Sequence, residues 1–309
     1  MFHPVASLEK NTMIASRKPS NSIKAVLATA FFVSAVSAQP AELPARPTIN
    51  SVCETIPPFD DAAVRPFLEM TLVPGKKIDL AQIPPETMAR LMALQKESKD
   101  RLATDWANLC RYSADNARVL ASGKVPRVVF LGDSITEYWK QGDPTLFTDV
   151  QQDRGISGQT TAQIVLRFYP DVVALKPRVV HVMAGTNDIA GNLGQVSDDT
   201  IIANIAAMLD IAKANRISVV LASIPPARFM SWKPGLTPAP RIVALNQRLM
   251  QLAKARGAIY LDYHSHLKDD QGGFQATLSN DGVHPNRDAY AIMRPIAEKA
   301  IAQALGKKK

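Results

Sequence analysis

Cysteine is nearly absent, with two residues in a chain of 309. That excludes a disulfide-dense scaffold and a cysteine-rich zinc module. Aromatic residues make up only 6%, and no Arg/aromatic run marks a nucleic-acid surface, so no nucleic-acid partner is expected. No series of long apolar runs is present, which excludes a polytopic membrane protein. Glycine-rich phosphate loops are missing as well. No G-x-G-x-x-G follows the first predicted strand and no G-x-x-x-x-G-K-[ST] occurs, so dinucleotide and nucleotide sites are not expected. With 46% hydrophobic and 21% charged residues, the composition is that of an ordinary globular protein and not of a disordered chain.

The first 38 residues read as an export signal. Lys10, Arg17, Lys18 and Lys24 form a basic segment. The uncharged run Ala25 to Ala38 follows, too short to span a bilayer comfortably. It closes on Val36-Ser37-Ala38, the small residues a signal peptidase reads, just before Gln39-Pro40. Met13 is an alternative start, and an uncleaved anchor is the alternative reading. The expected location is therefore the periplasm or the outside of the cell, with no stable membrane insertion after cleavage. The whole chain carries +8; the leader holds four Lys/Arg and one Glu, which leaves +5. Part of that sits in the Lys307-Lys308-Lys309 tail. Cys53 and Cys110 both follow the leader. They are either one disulfide tying the Pro-rich lead to a helix, as an oxidising compartment allows, or two buried thiols.

Residues 39–85 are Pro-rich and lack sustained periodicity. They read as an extended lead with one short helix near Asp61–Met70. Residues 86–121 read as one long helix: Met88, Leu91, Met92, Leu102, Trp106, Leu109 and Cys110 keep helical spacing, and Gly123 follows the end. Its apolar stripe is expected to pack on the main domain. From Pro126 the pattern changes. Buried-strand runs occur at Val128–Leu131, Val179–Met183, Ser218–Ala222 and Ala258–Leu261, with a weaker strand near Val150. Helices are expected from about Thr161, after a Ser197 cap, through Leu245, Leu249 and Leu252 to Gly257, and after an Asn286 cap to about Leu305 with Pro295 inside. Strands alternating with helices imply a parallel sheet covered on both faces. In such sheets, sites form at the carboxyl ends of the strands.

Three polar segments stand at those ends, and a fourth precedes the last helix. Gly132-Asp133-Ser134-Ile135-Thr136 follows the first strand and puts the Ser134 hydroxyl on a strand-to-helix turn, next to free helix N–H groups. The alternative is that Asp133 or Ser134 merely caps a helix. Gly155-Ile156-Ser157-Gly158-Gln159-Thr160-Thr161 lets a backbone N–H approach a ligand at Gly158, or is an ordinary turn into a Thr-capped helix. Ala184-Gly185-Thr186-Asn187-Asp188 can aim the Asn187 amide into the crevice, or serve as a turn. Asp281-Gly282-Val283-His284-Pro285 offers His284 as a base, with Asp281 three residues earlier to fix its tautomer.

These four segments, in this order, resemble the blocks of the SGNH hydrolases, the GDSL-type esterases and lipases, over about residues 126–305. They look most like the small-acyl branch that includes platelet-activating-factor acetylhydrolase α-subunits and carbohydrate O-acetylesterases. The resemblance implies a three-layer α/β/α fold around a flavodoxin-like parallel sheet, with the N-terminal helical region as an extension. It also implies Ser134 as nucleophile, His284 as base and Asp281 as its orienter, with an oxyanion hole from the N–H of Ser134, the N–H of Gly158 and the Asn187 side chain. No metal or organic cofactor is implied. Many relatives have Asn where this chain has Asp153, and nothing before residue 126 matches a family block. The implied activity is removal of short acyl groups, acetyl above all, from carbohydrate or another hydroxyl compound. Lysophospholipase- or thioesterase-like activity and an inactive glycan-binding module are the alternatives. Trp139, Arg228, Phe229, Met230 and Trp232 are candidates for the substrate pocket, with plain packing as the alternative for each. His264 and His266 lack a third ligand segment, which argues against a metal. His181, inside a strand run, reads as a core histidine.

Overall fold

In the computed structural model, the residues described are Cys53 and 62–306. The leader at residues 1–38, most of the Pro-rich lead and the Lys307–Lys309 tail lie outside them. The strands are β1 (Val128–Gly132), β2 (Gln151–Gly155), β3 (Val179–Met183), β4 (Ser218–Ala222) and β5 (Ile259–Leu261). All pair in parallel, in the order β2-β1-β3-β4-β5. β1 and β3 are buried along their whole length, because helices cover both faces. β2 is an edge strand of sequence QQDRG, which is why it signals weakly in the sequence.

The helices, in chain order, are α1 (Arg65–Leu72), α2 (Pro85–Arg101), α3 (Ser113–Ala121), α4 (Ser134–Gly142), α5 (Thr161–Phe168), α6 (Thr186–Ile189), α7 (Asp198–Ala214), α8 (Ala239–Arg256), α9 (His264–Leu267) and α10 (Arg287–Gly306). Alternation along the strands divides the core in two. Val129, Leu131, Val180 and Val182 pack with residues of α5, α7 and α8. Val128, Phe130, Val179 and Met183 pack with α1, α4 and α10 on the other face. The result is a three-layer α/β/α sandwich. The expected caps are in place: the Ser197 hydroxyl accepts the Thr200 N–H, Gly257 closes α8 in the left-handed region, and Asn286 Oδ1 accepts the Ala289 N–H. α10 continues through Pro295.

The single long helix expected over 86–121 is two helices. α2 stops at Arg101, and residues 102–112 form successive turns before α3 begins. The cause is local. The Asp105 carboxylate accepts the N–H groups of Leu109 (2.7 Å) and Cys110 (2.9 Å), and Asn108 takes φ +54°. The expected stripe is correspondingly broken, with Met92 and Trp106 exposed and Leu91 half-buried against the core. Cys110, inside the turn, is disulfide-bonded to Cys53.

Candidate active site

β1, β2 and β3 end level with one another. Gly132, the last residue of β1, pairs with Gly155 on one side and Met183 on the other. The order 2-1-3 makes this the switch point of the sheet, where the connections leave in opposite directions and a crevice opens. The loops after these strands carry Ser134, Gly158 and Asn187, so the topology alone gathers three of the proposed groups.

Asp133 is the N-cap of α4: its Oδ1 accepts the Ile135 N–H at 3.0 Å. The capping role thus falls to Asp133 and leaves the Ser134 hydroxyl free for another partner. That partner is His284, whose Nε2 lies 3.0 Å from Ser134 Oγ. On the other side of the ring, Nδ1 meets Asp281 Oδ2 at 2.6 Å. Asp281 is itself fixed by the turn it stands in, where Oδ1 accepts the N–H groups of Val283 (2.9 Å) and His284 (2.7 Å). Tyr138 flanks the imidazole, with ring centres 5.0 Å apart.

Electrostatics match this geometry. Burial alone would lower the His284 pKa. The Asp281 carboxylate, through its charge and its hydrogen bond, and the nearby Asp133 charge reverse that and hold it above the ordinary 6.5. Burial would raise Asp281, but His284 and the backbone N–H groups pull it well below the usual carboxylate range. Asp133, buried at the base of the site, is pushed up to about 6 despite its bond from Ile135.

Gly158 takes φ +79°, is exposed, and has open space where a Cβ would stand. The Asn187 Nδ2 donates to the Gln159 carbonyl at 3.0 Å and, more weakly, to Asp133 Oδ2 at 3.3 Å. Its orientation is set by Asn192, whose Nδ2 donates to Asn187 Oδ1 at 2.7 Å. Asn192 in turn accepts the Trp232 indole N–H at 3.3 Å.

The pocket candidates separate. Trp232 lies at the rim, its ring 6.3 Å from His284, and exposed Phe229 packs over Gly282 in the His284 loop. Arg228 is exposed on the same loop with its backbone against Gly273. Trp139 and Met230 are not pocket residues. Trp139 is fully buried, stacked on Tyr290 at 5.3 Å, and Met230 belongs to the core under α7 and α8. His181 is a buried core residue paired with the Tyr263 hydroxyl, and burial drives its pKa down to about 3. His264 and His266 diverge: His264 is buried, while His266 Nδ1 bonds the Asp262 carbonyl. Among the described residues, no group of three or more His, Cys, Asp or Glu is placed to hold a metal.

Several supporting residues escaped the sequence reading. Glu137 accepts both the N–H (2.8 Å) and the hydroxyl of Ser157. Asn280 donates to the carbonyls of Met70, Thr71 and Val73, which ties the His284 loop to the end of α1. Arg167, fully buried on α5, reaches the Gly132 carbonyl at 2.7 Å and the Arg154 carbonyl at 2.8 Å. Each acts through contacts distant in sequence, which leave no local pattern.

Comparison with known proteins agrees with the fold. The profile of the GDSL-like Lipase/Acylhydrolase family matches residues 130–292. The chain belongs to that family, and it is an ester hydrolase of the SGNH type. Among solved structures, a Bacteroides fragilis NCTC 9343 protein assigned as an acylhydrolase is 38% identical. The match covers 65% of this chain and 98% of that one, with a TM-score of 0.62. A GDSL-like lipase from Bacteroides thetaiotaomicron VPI-5482 is 39% identical over 64% of this chain and 99% of its own, with a TM-score of 0.61. A Streptococcus pneumonia protein assigned as a platelet activating factor, 21% identical over 68% of this chain and 99% of its own, shares the fold at a TM-score of 0.57. Comparison with curated proteins gives no match.

Proposed function

We propose that this chain is an exported serine esterase that removes short acyl groups, acetyl above all, from carbohydrate hydroxyls. The observation that carries the reading is the continuous Ser134–His284–Asp281 hydrogen-bonded chain, at 3.0 and 2.6 Å. Ser134 Oγ attacks the ester carbonyl carbon as His284 Nε2 takes its proton. The N–H groups of Ser134 and Gly158 and the Asn187 amide receive the oxyanion; the long Asn187–Asp133 bond is the one that yields to it. Collapse breaks the bond to the alcohol, which leaves with the proton from His284. Water, deprotonated by the same imidazole, then releases the acid and restores Ser134.

The amides of Asn187, which bonds Asp133 next to Ser134 in the chain, and of Asn192, which bonds Asn187, favour a short acyl group. The exposed Phe229 and Trp232 at the rim offer apolar faces to a flat alcohol portion such as a sugar ring. Export is supported by the leader sequence and by the Cys53–Cys110 bond, a chemistry of oxidising compartments.

The test is a panel of chromogenic esters from acetyl to long acyl, together with acetylated oligosaccharides, on the wild type and Ser134→Ala. Rates should fall with acyl length, and the variant should lose about 10⁴-fold or more in turnover. A preference for long chains would replace this reading with a lipolytic one. A wild type no faster than Ser134→Ala, and inert to a serine-reactive phosphonate, would make the protein a binding module.

A further inference from the structure

Residues 105–112 precede the matched family region, yet they touch the loop of the proposed oxyanion hole at two points and reach it at a third through Glu137. The Tyr112 hydroxyl donates to the Gly155 carbonyl, and Gln159 Nε2 donates to the Ala107 carbonyl at 2.8 Å. The third contact is indirect. Arg111 Nη2 meets Glu137 Oε1 at 3.0 Å, and Glu137 Oε2 receives the N–H and the hydroxyl of Ser157.

We propose that this turn is a positioning brace for the Gly158 amide, acting through Arg111, Glu137 and Ser157. The proposal rests on the serine-esterase reading given above. The direction of the Gly158 N–H is set by the Ser157–Gly158 peptide plane, and Gly158 at φ +79° offers that plane little resistance to rotation. What holds the plane is its neighbours. Ser157 is gripped from one side by Glu137. On the other side Gln159 is fixed through Ala107 and through Arg167, whose Nε donates to Gln159 Oε1.

Glu137 stands in the first turn of α4, three residues after Ser134, so a single helix carries both the nucleophile and the anchor of the oxyanion loop. Glu137 is 4% exposed. A carboxylate so buried needs a compensating charge, or it swings out to water. Arg111 supplies that charge, with its own side chain only 14% exposed. Without Arg111, the two bonds to Ser157 lose their reason to persist. The break between α2 and α3 thereby gains a purpose: a continuous helix would not present the Ala107 carbonyl, Arg111 and Tyr112 together to one loop.

Arg111→Met tests the brace, with Arg111→Lys as the charge-keeping control and Ser134→Ala as the blank. Removing an oxyanion donor outright costs about 10²–10³ in turnover. Displacing one should cost about tenfold or more in kcat, with KM within about twofold, because the contact matters in the transition state and not in substrate binding. Arg111→Lys should recover most of the loss. The rate of labelling by a serine-reactive phosphonate should fall in parallel with kcat. Should Arg111→Met not fold, Ser157→Ala, which deletes one of the two Glu137 bonds, decides the question by the same split between kcat and KM. Folded variants with wild-type kcat, or a change confined to melting temperature, would overturn the brace and leave the esterase reading standing. A wild type without esterase activity or phosphonate labelling would overturn both.

Discussion

At the scale of single residues, the proposed mechanism makes His284 the group whose state would decide activity, because only the neutral imidazole can take the Ser134 proton. Its pKa is held above 6.5 by Asp281 and Asp133 against the opposing effect of burial. The protonated, inactive form therefore persists to higher pH than for a free imidazole. The acid limb of kcat/KM should lie above 6.5, with activity rising as pH passes through it. Asp281→Asn tests the cause. It removes the larger of the two charges that raise the imidazole pKa and leaves burial, which lowers it, so the limb should shift to lower pH. Turnover should fall by about 10³–10⁴-fold as well, since an amide N–H facing Nδ1 imposes the tautomer that cannot accept the serine proton. A pH profile of kcat/KM for the two proteins reads both effects. An unmoved limb would show that another group controls it.

At the scale of elements, the sequence made β1, β3 and β4 plain because strands buried on both faces are continuous apolar runs. It made Ser134 plain because it stands in a short motif at the end of such a strand, and His284 because its motif, with Asp281 three residues earlier, stands just before α10. Trp139 was misplaced for a reason that spacing could have supplied. It lies four residues after Ile135 on α4, the same helix face, and both are buried in the core. The break at residues 102–112 was hidden because Asp105 and Asn108 interrupt a helix by side-chain hydrogen bonding and a positive φ, not by a proline. Glu137 was hidden because its partners, Arg111 and Ser157, are 26 and 20 residues away in sequence. The contact of β2 with α4 is tight in a way only coordinates reveal. A Cβ on Gly155 would stand 2.2 Å from the Glu137 backbone nitrogen. Backbone cannot give way as a side-chain tip can, so Gly155→Ala must push β2 from α4. It should cost about 1–3 kcal/mol in urea unfolding, as overpacking does. It should lower kcat too, because the same displacement moves Ser157 from Glu137. Wild-type stability in this variant would mean that the two elements separate freely.

At the scale of the whole molecule, the segment before residue 126 is joined to the hydrolase fold at several places, one of them α3, where Asn116 Nδ2 donates to Asp171 and its Oδ1 accepts from Arg154. α1 meets the His284 loop through Asn280, and the start of α10 through Glu69, which pairs with Arg287 at 2.7 and 3.0 Å. The 105–112 turn meets the loop of Gly158 on the other side of the crevice. The Cys53–Cys110 bond closes the chain around α1 and α2 across a separation of 57 residues, with Cys110 inside the turn. By the chain-entropy account, a loop of that length stabilises the fold by about 4 kcal/mol, chiefly by restricting the unfolded chain. The Cys53→Ser/Cys110→Ser double variant should accordingly unfold at markedly lower urea concentration than the oxidised wild type. Adding dithiothreitol should bring the wild type down to the level of the variant and leave the variant itself unchanged. The Asn280 and Glu69 contacts do not depend on the disulfide, so the reduced protein, kept below its transition, should still fold around Ser134 and retain esterase activity. A wild-type midpoint indifferent to reductant would show that the bond constrains nothing the fold had not already ordered.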